Sequence, residues 1–224
     1  MEKLGRSYAK GMYHASYGMV DLPSGKMKSR EGTVVDADDL LQEMYDTAKA
    51  KTEELGKTDG MSEGELHELY HRLSIGALKF FILKVDPRKR MLFNPQESID
   101  FQGDTGPFVM YTYARIKSIL RTANFKGVTL KTDLNLHPTE MSCIKLLSEF
   151  PSIIQAAAEE YNPAAICQYV LDLAKAYNKV YNEVSILKEE DTDLRDMRLY
   201  LASQTAQTLQ HGLKLIGVET VERM

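Results

Sequence analysis

The chemistry-bearing residues of this chain fall in three places. The first is Ser24-Gly25-Lys26-Met27-Lys28-Ser29-Arg30-Glu31-Gly32, which sets three cations within five residues between two glycines. Lysine ammonium groups act as mobile point charges on developing negative charge, and glycine allows backbone angles that other residues avoid. The chemical use of such a loop is to hold polyphosphate while a bond to phosphorus breaks. Solvated cations in a Gly-bounded loop are the commoner explanation of a motif this short, so its neighbours must decide.

The second is the stretch from Thr105 to Thr132, with five cations (Arg115, Lys117, Arg121, Lys126, Lys131) and no Asp or Glu. Phe108, Tyr111, Tyr113 and Phe125 are interleaved with them. Cations that meet phosphate beside rings that stack on bases are what single-stranded nucleic acid recognition requires. Phe108 and Phe125 read as core. Tyr111 and Arg115 lie one helical turn apart on the same side, where base contact and ordinary packing are both open. The third is His67-Glu68-Leu69-Tyr70-His71, an H-E-x-x-H pattern. On a helix its histidines share a face, as the zinc ligands of a metalloprotease do, with Glu68 as base and Glu97 as the one downstream candidate for a third ligand. Ser74 stands where a longer zinc motif needs glycine, and His67 and His71 flank an apolar stripe, so the motif reads as accidental and no metal is expected. His14, His137 and His211 are isolated and read as structural. Tyr177 and Tyr181 read as half-buried packing residues with a wet hydroxyl.

These residues need elements to hold them. Asp36 is a good N-cap, followed by acidic Asp38 and Asp39 and by Leu40, Leu41, Met44 and Ala48 on one helical face, with Leu55-Gly56 at the end. Lys57 to Gly64 reads as a polar connector. A second helix from Glu65 carries Leu66, Leu69, Tyr70, Leu73, Ala77, Phe80 and Phe81 and stops at Asp86-Pro87. Met91-Leu92-Phe93 fits a short strand or extended strip. Pro107 suits the first turn of a helix running to about Ala123. Pro151 and Pro163 mark further helix starts, the latter after the cap Asn162. Ile166, Val170, Leu173, Tyr177, Val180, Tyr181 and Val184 trace one face of a long helix, and a last helix from near Asp193 ends before Gly217.

The expected architecture is mainly α, divided near residue 100, with a helical bundle as the second part. At 224 residues, 43% hydrophobic and 27% charged, the composition is that of a globular chain. A net charge of −4 excludes coating nucleic acid by bulk charge, so any such binding uses a local patch. Cys143 and Cys167 lack CxxC spacing and read as reduced, buried thiols of a cytosolic protein. No apolar run reaches the roughly 18 residues of a membrane span, so the expected setting is cytoplasmic, with no membrane partner.

The order of these segments resembles arginyl-tRNA synthetases. Tyr17-Gly18-Met19-Val20, the run from Gly25 to Val34, Asp38-Asp39-Leu40-Leu41, Gly76-Ala77-Leu78-Lys79-Phe80-Phe81, Phe101-Gln102-Gly103-Asp104-Thr105-Gly106-Pro107, Tyr111-Thr112-Tyr113-Ala114-Arg115 and Gly217 to Met224 all carry the likeness, in order, from about Leu4 to the last residue. The resemblance implies a class I aminoacyl-tRNA synthetase, which makes arginyl-adenylate from arginine and ATP with Mg2+ and esterifies the 3′ end of tRNA(Arg). It implies that residues 1–100 are the C-terminal end of the catalytic domain with connecting helices. Lys26, Met27, Lys28, Ser29 and Arg30 would be its ATP-phosphate loop, with Lys28 and Lys26 as catalytic cations. Residues 101–224 would be the helical-bundle anticodon-binding domain, in which Tyr111, Arg115, Tyr181 and Met224 meet the anticodon. Met110 departs from the family, where glutamine commonly precedes this tyrosine. The family's His-x-Gly-His loop does not occur in these 224 residues, so the chain alone is expected neither to activate arginine nor to hold a cofactor tightly. A monomer is expected. The rival from another class is a free-standing tRNA-binding module without catalysis.

Overall fold

A computed structural model describes residues 1–21, 36–56, 58, 60–131 and 133–224. Among these residues there are seven α-helices and one two-stranded sheet. The chain opens with short 3-10 turns at Glu2–Leu4 and Ser7–Gly11. Strand β1 (Val20–Asp21) pairs in parallel with β2 (Met91–Leu92), with Val20 opposite Met91 and Asp21 opposite Leu92. Arg90 binds the Asp21 carboxylate with both guanidinium arms. Gly18 lies so close to the Lys89 carbonyl that a Cβ at this position would be 2.0 Å from its oxygen.

Helix α1 (Ala37–Glu54) starts on Asp36, whose carboxylate accepts from Asp38 N, and Gly56 follows it in the left-handed region at φ +60°. Helix α2 (Glu63–Leu83) begins two residues before Glu65, because Ser62 and Glu65 form a reciprocal capping box that takes Glu63 and Gly64 into the first turn. The short α3 (Pro95–Ser98) leads to α4 (Gly106–Thr122), capped by Thr105 with Pro107 in its first turn. Helix α5 (Pro138–Glu159) precedes α6 (Pro163–Glu183), capped by Asn162, and α7 (Thr192–Leu215), capped by Asp191.

Pro151 starts no helix: it lies inside α5. An interior proline loses one hydrogen bond and strains the preceding turn, at a cost of about 3 kcal/mol. The flanking side chains Leu146, Leu147, Phe150, Ile153 and Ile154 pack on the core across that turn, and the Tyr169 hydroxyl donates to the Leu146 carbonyl at 2.8 Å. Burial on both sides of the proline holds the helix continuous where local propensity would end it. Tyr161 closes α5 at φ +51°, with Asn162 N donating back to Ala157 O at 2.9 Å, and its ring stacks on Tyr13 at 4.1 Å.

The buried apolar residues form one cluster that runs from Met44 and Ala48 of α1 to Val218 and Val221 after α7. Helices α2 and α4 meet at two glycines. A Cβ on Gly106 would lie 2.8 Å from the Phe80 Cβ and 2.9 Å from the Gly76 carbonyl oxygen, so no larger residue allows this approach. Each cysteine is a buried free thiol, pushed up by burial to about 11 at Cys143 and about 12 at Cys167.

Candidate nucleic-acid interface

Helix α4 sets Tyr111 and Arg115 four residues apart, and α6 delivers Tyr181 from its last turn. The Arg115 guanidinium carbon lies 4.8 Å from the centroid of the Tyr111 ring and 4.8 Å from that of Tyr181. This cation is fixed from beneath. Arg115 Nη1 donates to Asn178 Oδ1 at 2.5 Å, while Asn178 Nδ2 donates to Thr112 Oγ1 at 2.8 Å and to Ala174 O at 3.0 Å. Phe101 meets the Tyr111 ring edge-on at 6.4 Å. Two aromatic faces and a delocalised cation are thereby held on helices, and any base can stack on such a platform.

These side chains line a cleft of about 390 Å³, with Met61, Ala114, Ser118, Arg121, Arg223 and Met224 as its other walls. Tyr111, Arg115, Tyr181 and Met224, the four residues expected from the family resemblance to meet the anticodon, therefore share one cavity. Three arginines line it, and among the described residues no Asp or Glu side chain is one of its walls. That local excess of positive charge is what an acidic chain needs to hold a phosphate backbone.

Other expectations fare differently. Tyr113 is buried in the core and offers no face to a base. Tyr177 is not half-buried: it is 1% exposed, burial pushes its hydroxyl above the ordinary tyrosine range, and that oxygen has no hydrogen-bond partner among the described residues. Phe108 and Phe125 are half-buried against the core. Of the five cations, Lys117 pairs with Glu222 at 3.0 Å and Lys131 with Asp193, while Lys126 is exposed. Arg121 keeps one arm on the Glu222 carbonyl at 3.0 Å. Asn178 and Met61 are not singled out by the sequence, and Thr112 stands there only within the family likeness. Asn178 alone left a trace, one helical turn before Tyr181.

The loop Lys26, Met27, Lys28, Ser29 and Arg30 lies outside the described residues, between β1 and α1. In the H-E-x-x-H segment His67, Glu68 and His71 are exposed, and Glu68 is bound by Arg72 at 2.6 Å, which holds its carboxyl below the usual range. No group of three metal-ligating side chains occurs among the described residues. Among the described residues no helix is long and apolar enough to cross a membrane.

Residues 109–224 match the DALR anticodon binding domain, and residues 2–94 match the class I (R) tRNA synthetase catalytic domain. The chain is 53% identical over 224 residues to the arginine--tRNA ligase of Flavobacterium psychrophilum and 52% identical over 229 residues to that of Amoebophilus asiaticus. All of this chain is aligned in both cases, against 37% and 38% of the relatives, so it spans little more than a third of their length. The solved arginyl-tRNA synthetase of Thermus thermophilus superposes with a TM-score of 0.82 at 34% identity, over 93% of this chain and 35% of that one. The chain belongs to the arginyl-tRNA synthetase family, matching its C-terminal part and including its DALR anticodon-binding domain.

Proposed function

We propose that the chain serves arginine--tRNA ligation, with the cleft between α4, α6 and the C-terminal tail receiving anticodon-loop bases of tRNA(Arg). The observation that carries this reading is the stack of Arg115 with Tyr111 and Tyr181, in a cleft walled by Arg121, Arg223 and Met224. The division near residue 100 separates that reader from the end of the catalytic domain. In the whole enzyme Lys28 and Lys26 meet the phosphates of ATP, supplied with Mg2+, and stabilise charge on phosphorus and the leaving pyrophosphate. Losing one such electrostatic donor costs on the order of 100- to 1000-fold in rate. Lys28→Ala in the full-length enzyme should therefore slow adenylate formation and leave tRNA affinity intact, whereas equal loss of both would contradict the role. The protein works as a cytoplasmic monomer.

Binding of an anticodon stem-loop by the 224-residue chain tests the cleft. Tyr111→Ala should weaken binding by about 5- to 150-fold, the value of one to three kcal/mol per stacked base. The salt slope should stay near its wild-type value, because no phosphate contact is lost. A change in salt slope with little change in affinity would reduce the platform to a phosphate binder.

A further inference from the structure

Helix α7 ends in a reversal. Gly217 takes φ +71°, its N–H donates to Lys214 O at 3.0 Å, and Val218 N donates to Leu213 O at 2.9 Å. The chain then turns onto α2, which offers Arg72, Gly76 and Lys79 along one face. Lys79 Nζ donates to the Gly217 carbonyl at 2.6 Å. Val218, 2% exposed, fills the notch at Gly76, where a Cβ would lie 3.2 Å from the Val218 methyl and 2.9 Å from the Met110 sulfur. Arg72 Nη1 donates to the Thr220 carbonyl at 3.2 Å, and its Nε lies 3.5 Å from the Glu219 carboxylate.

Seven residues of helix rise about 10.5 Å, and three steps of extended chain reach about 10 Å, so tail and helix run antiparallel in register. Beyond this track α4 takes over: Lys117 pairs with the Glu222 carboxylate at 3.0 Å and Arg121 binds the Glu222 carbonyl at 3.0 Å. The next two residues, Arg223 and Met224, are walls of the base cleft. Beside the tail lies a second cleft of about 660 Å³, lined by Arg72 of α2, by Gln210, His211 and Lys214 of α7 and by the tail itself, and Gln210 Nε2 donates to the Thr220 hydroxyl at 3.3 Å.

We infer that Arg72 and Lys79 are positioning residues for anticodon recognition: by clamping tail carbonyls along α2 they set where Arg223 and Met224 stand in the cleft. The inference rests on the cleft being the anticodon site. It gives a helix of the catalytic-domain match a part in reading the anticodon without touching RNA. Gly76 belongs to the same device, since a Cβ there would press on the Met110 sulfur at 2.9 Å and on the Val218 methyl at 3.2 Å.

The test compares the wild-type chain with Arg72→Met/Lys79→Met, which keeps the apolar stems and removes the donors. One readout is the Met224 methyl resonance in the free protein, assigned with Met224→Leu. The second is the discrimination ratio, the dissociation constant of an arginine anticodon stem-loop with its central anticodon base changed divided by that of the unchanged stem-loop. The double variant should shift the Met224 resonance and lower the ratio at least about fivefold, the smaller value of one stacked base. Removing residues 223–224 should lower it as much, with no further loss when the two changes are combined. Arg72→Lys should recover part of the ratio. An unmoved Met224 methyl, or a wild-type ratio in the double variant, overturns the positioning role and leaves the anticodon cleft standing. A wild-type chain that shows no discrimination at all overturns the cleft reading and the positioning role with it.

Discussion

Arg198→Met should be the most destabilising single substitution of a charged residue in the bundle. Arg198 is 7% exposed and Glu140 fully buried, and Arg198 Nε donates to Glu140 Oε1 at 2.6 Å. Arg198 Nη1 also donates to the Ser185 carbonyl at 2.8 Å and pairs with Glu189. The second Glu140 oxygen accepts from the His137 N–H at 2.6 Å, closing the capping box at the start of α5. Methionine fills the space but leaves the Glu140 carboxylate buried with one neutral donor. Breaking a buried pair in this way costs about 3–5 kcal/mol. That is a large share of the roughly 5–15 kcal/mol that holds a domain together. At about 2–4 °C per kcal/mol for a chain of this size, the thermal midpoint falls by about 6–20 °C. Glu140→Leu/Arg198→Met removes both charges and loses mainly the cap, about 1 kcal/mol, so the double variant should be more stable than the single one. Thermal unfolding followed by circular dichroism at 222 nm measures both. A single-variant loss under about 1 kcal/mol, or a double variant less stable than Arg198→Met, would refute the assignment of the cost to an uncompensated Glu140.

The buried thiols make a chemical prediction. With Cys143 pushed up to about 11, about one thiol in a thousand is thiolate at pH 8, so alkylation of the native chain should be slow and should accelerate on unfolding. The same shift has a sign in pH. Between the ordinary thiol value near 9 and about 11 the unfolded chain loses a proton that the folded chain keeps, so stability should fall by up to about 1.4 kcal/mol per pH unit per thiol. Titrating the unfolding midpoint from pH 8 to 11 checks it, and a rising midpoint would contradict it. At the α2–α4 crossing, Gly106→Ala puts a methyl 2.8 Å from Phe80 and should cost about 1–3 kcal/mol in denaturant unfolding. At the end of α5, Tyr161→Gly and Tyr161→Ala both lose the stack on Tyr13, but only glycine relieves the left-handed backbone. The glycine variant should be about 1 kcal/mol more stable than the alanine one in the same assay.

Caps and stripes made most helices legible. Asp36 and Asn162 start theirs through side-chain acceptors that are local in sequence, Pro107 marks the first turn of α4, and the buried face of α6 follows its apolar spacing from Ile166 to Val180, whereas the caps Thr105 and Asp191 emerge only in the structure. Pro151 was misleading because its cost is offset by packing between helices, which no local window contains. The site divides in the same way. Tyr111 and Arg115 are neighbours on one helix, and Tyr181 and Met224 were reachable through the family likeness. Asn178, which fixes Arg115 from another helix, and the track of Arg72, Gly76 and Lys79 under the tail depend on pairings 63 to 148 residues apart. In α2 those cations look like any solvated face.

The most direct test is to titrate the 224-residue chain with tRNA(Arg) and with the same tRNA carrying a changed anticodon, at one fixed salt concentration. A cleft built from Tyr111, Arg115, Tyr181 and Met224 predicts tighter binding of the unaltered tRNA, with Tyr111→Ala erasing most of the difference. Equal affinity for the two tRNAs would contradict the account.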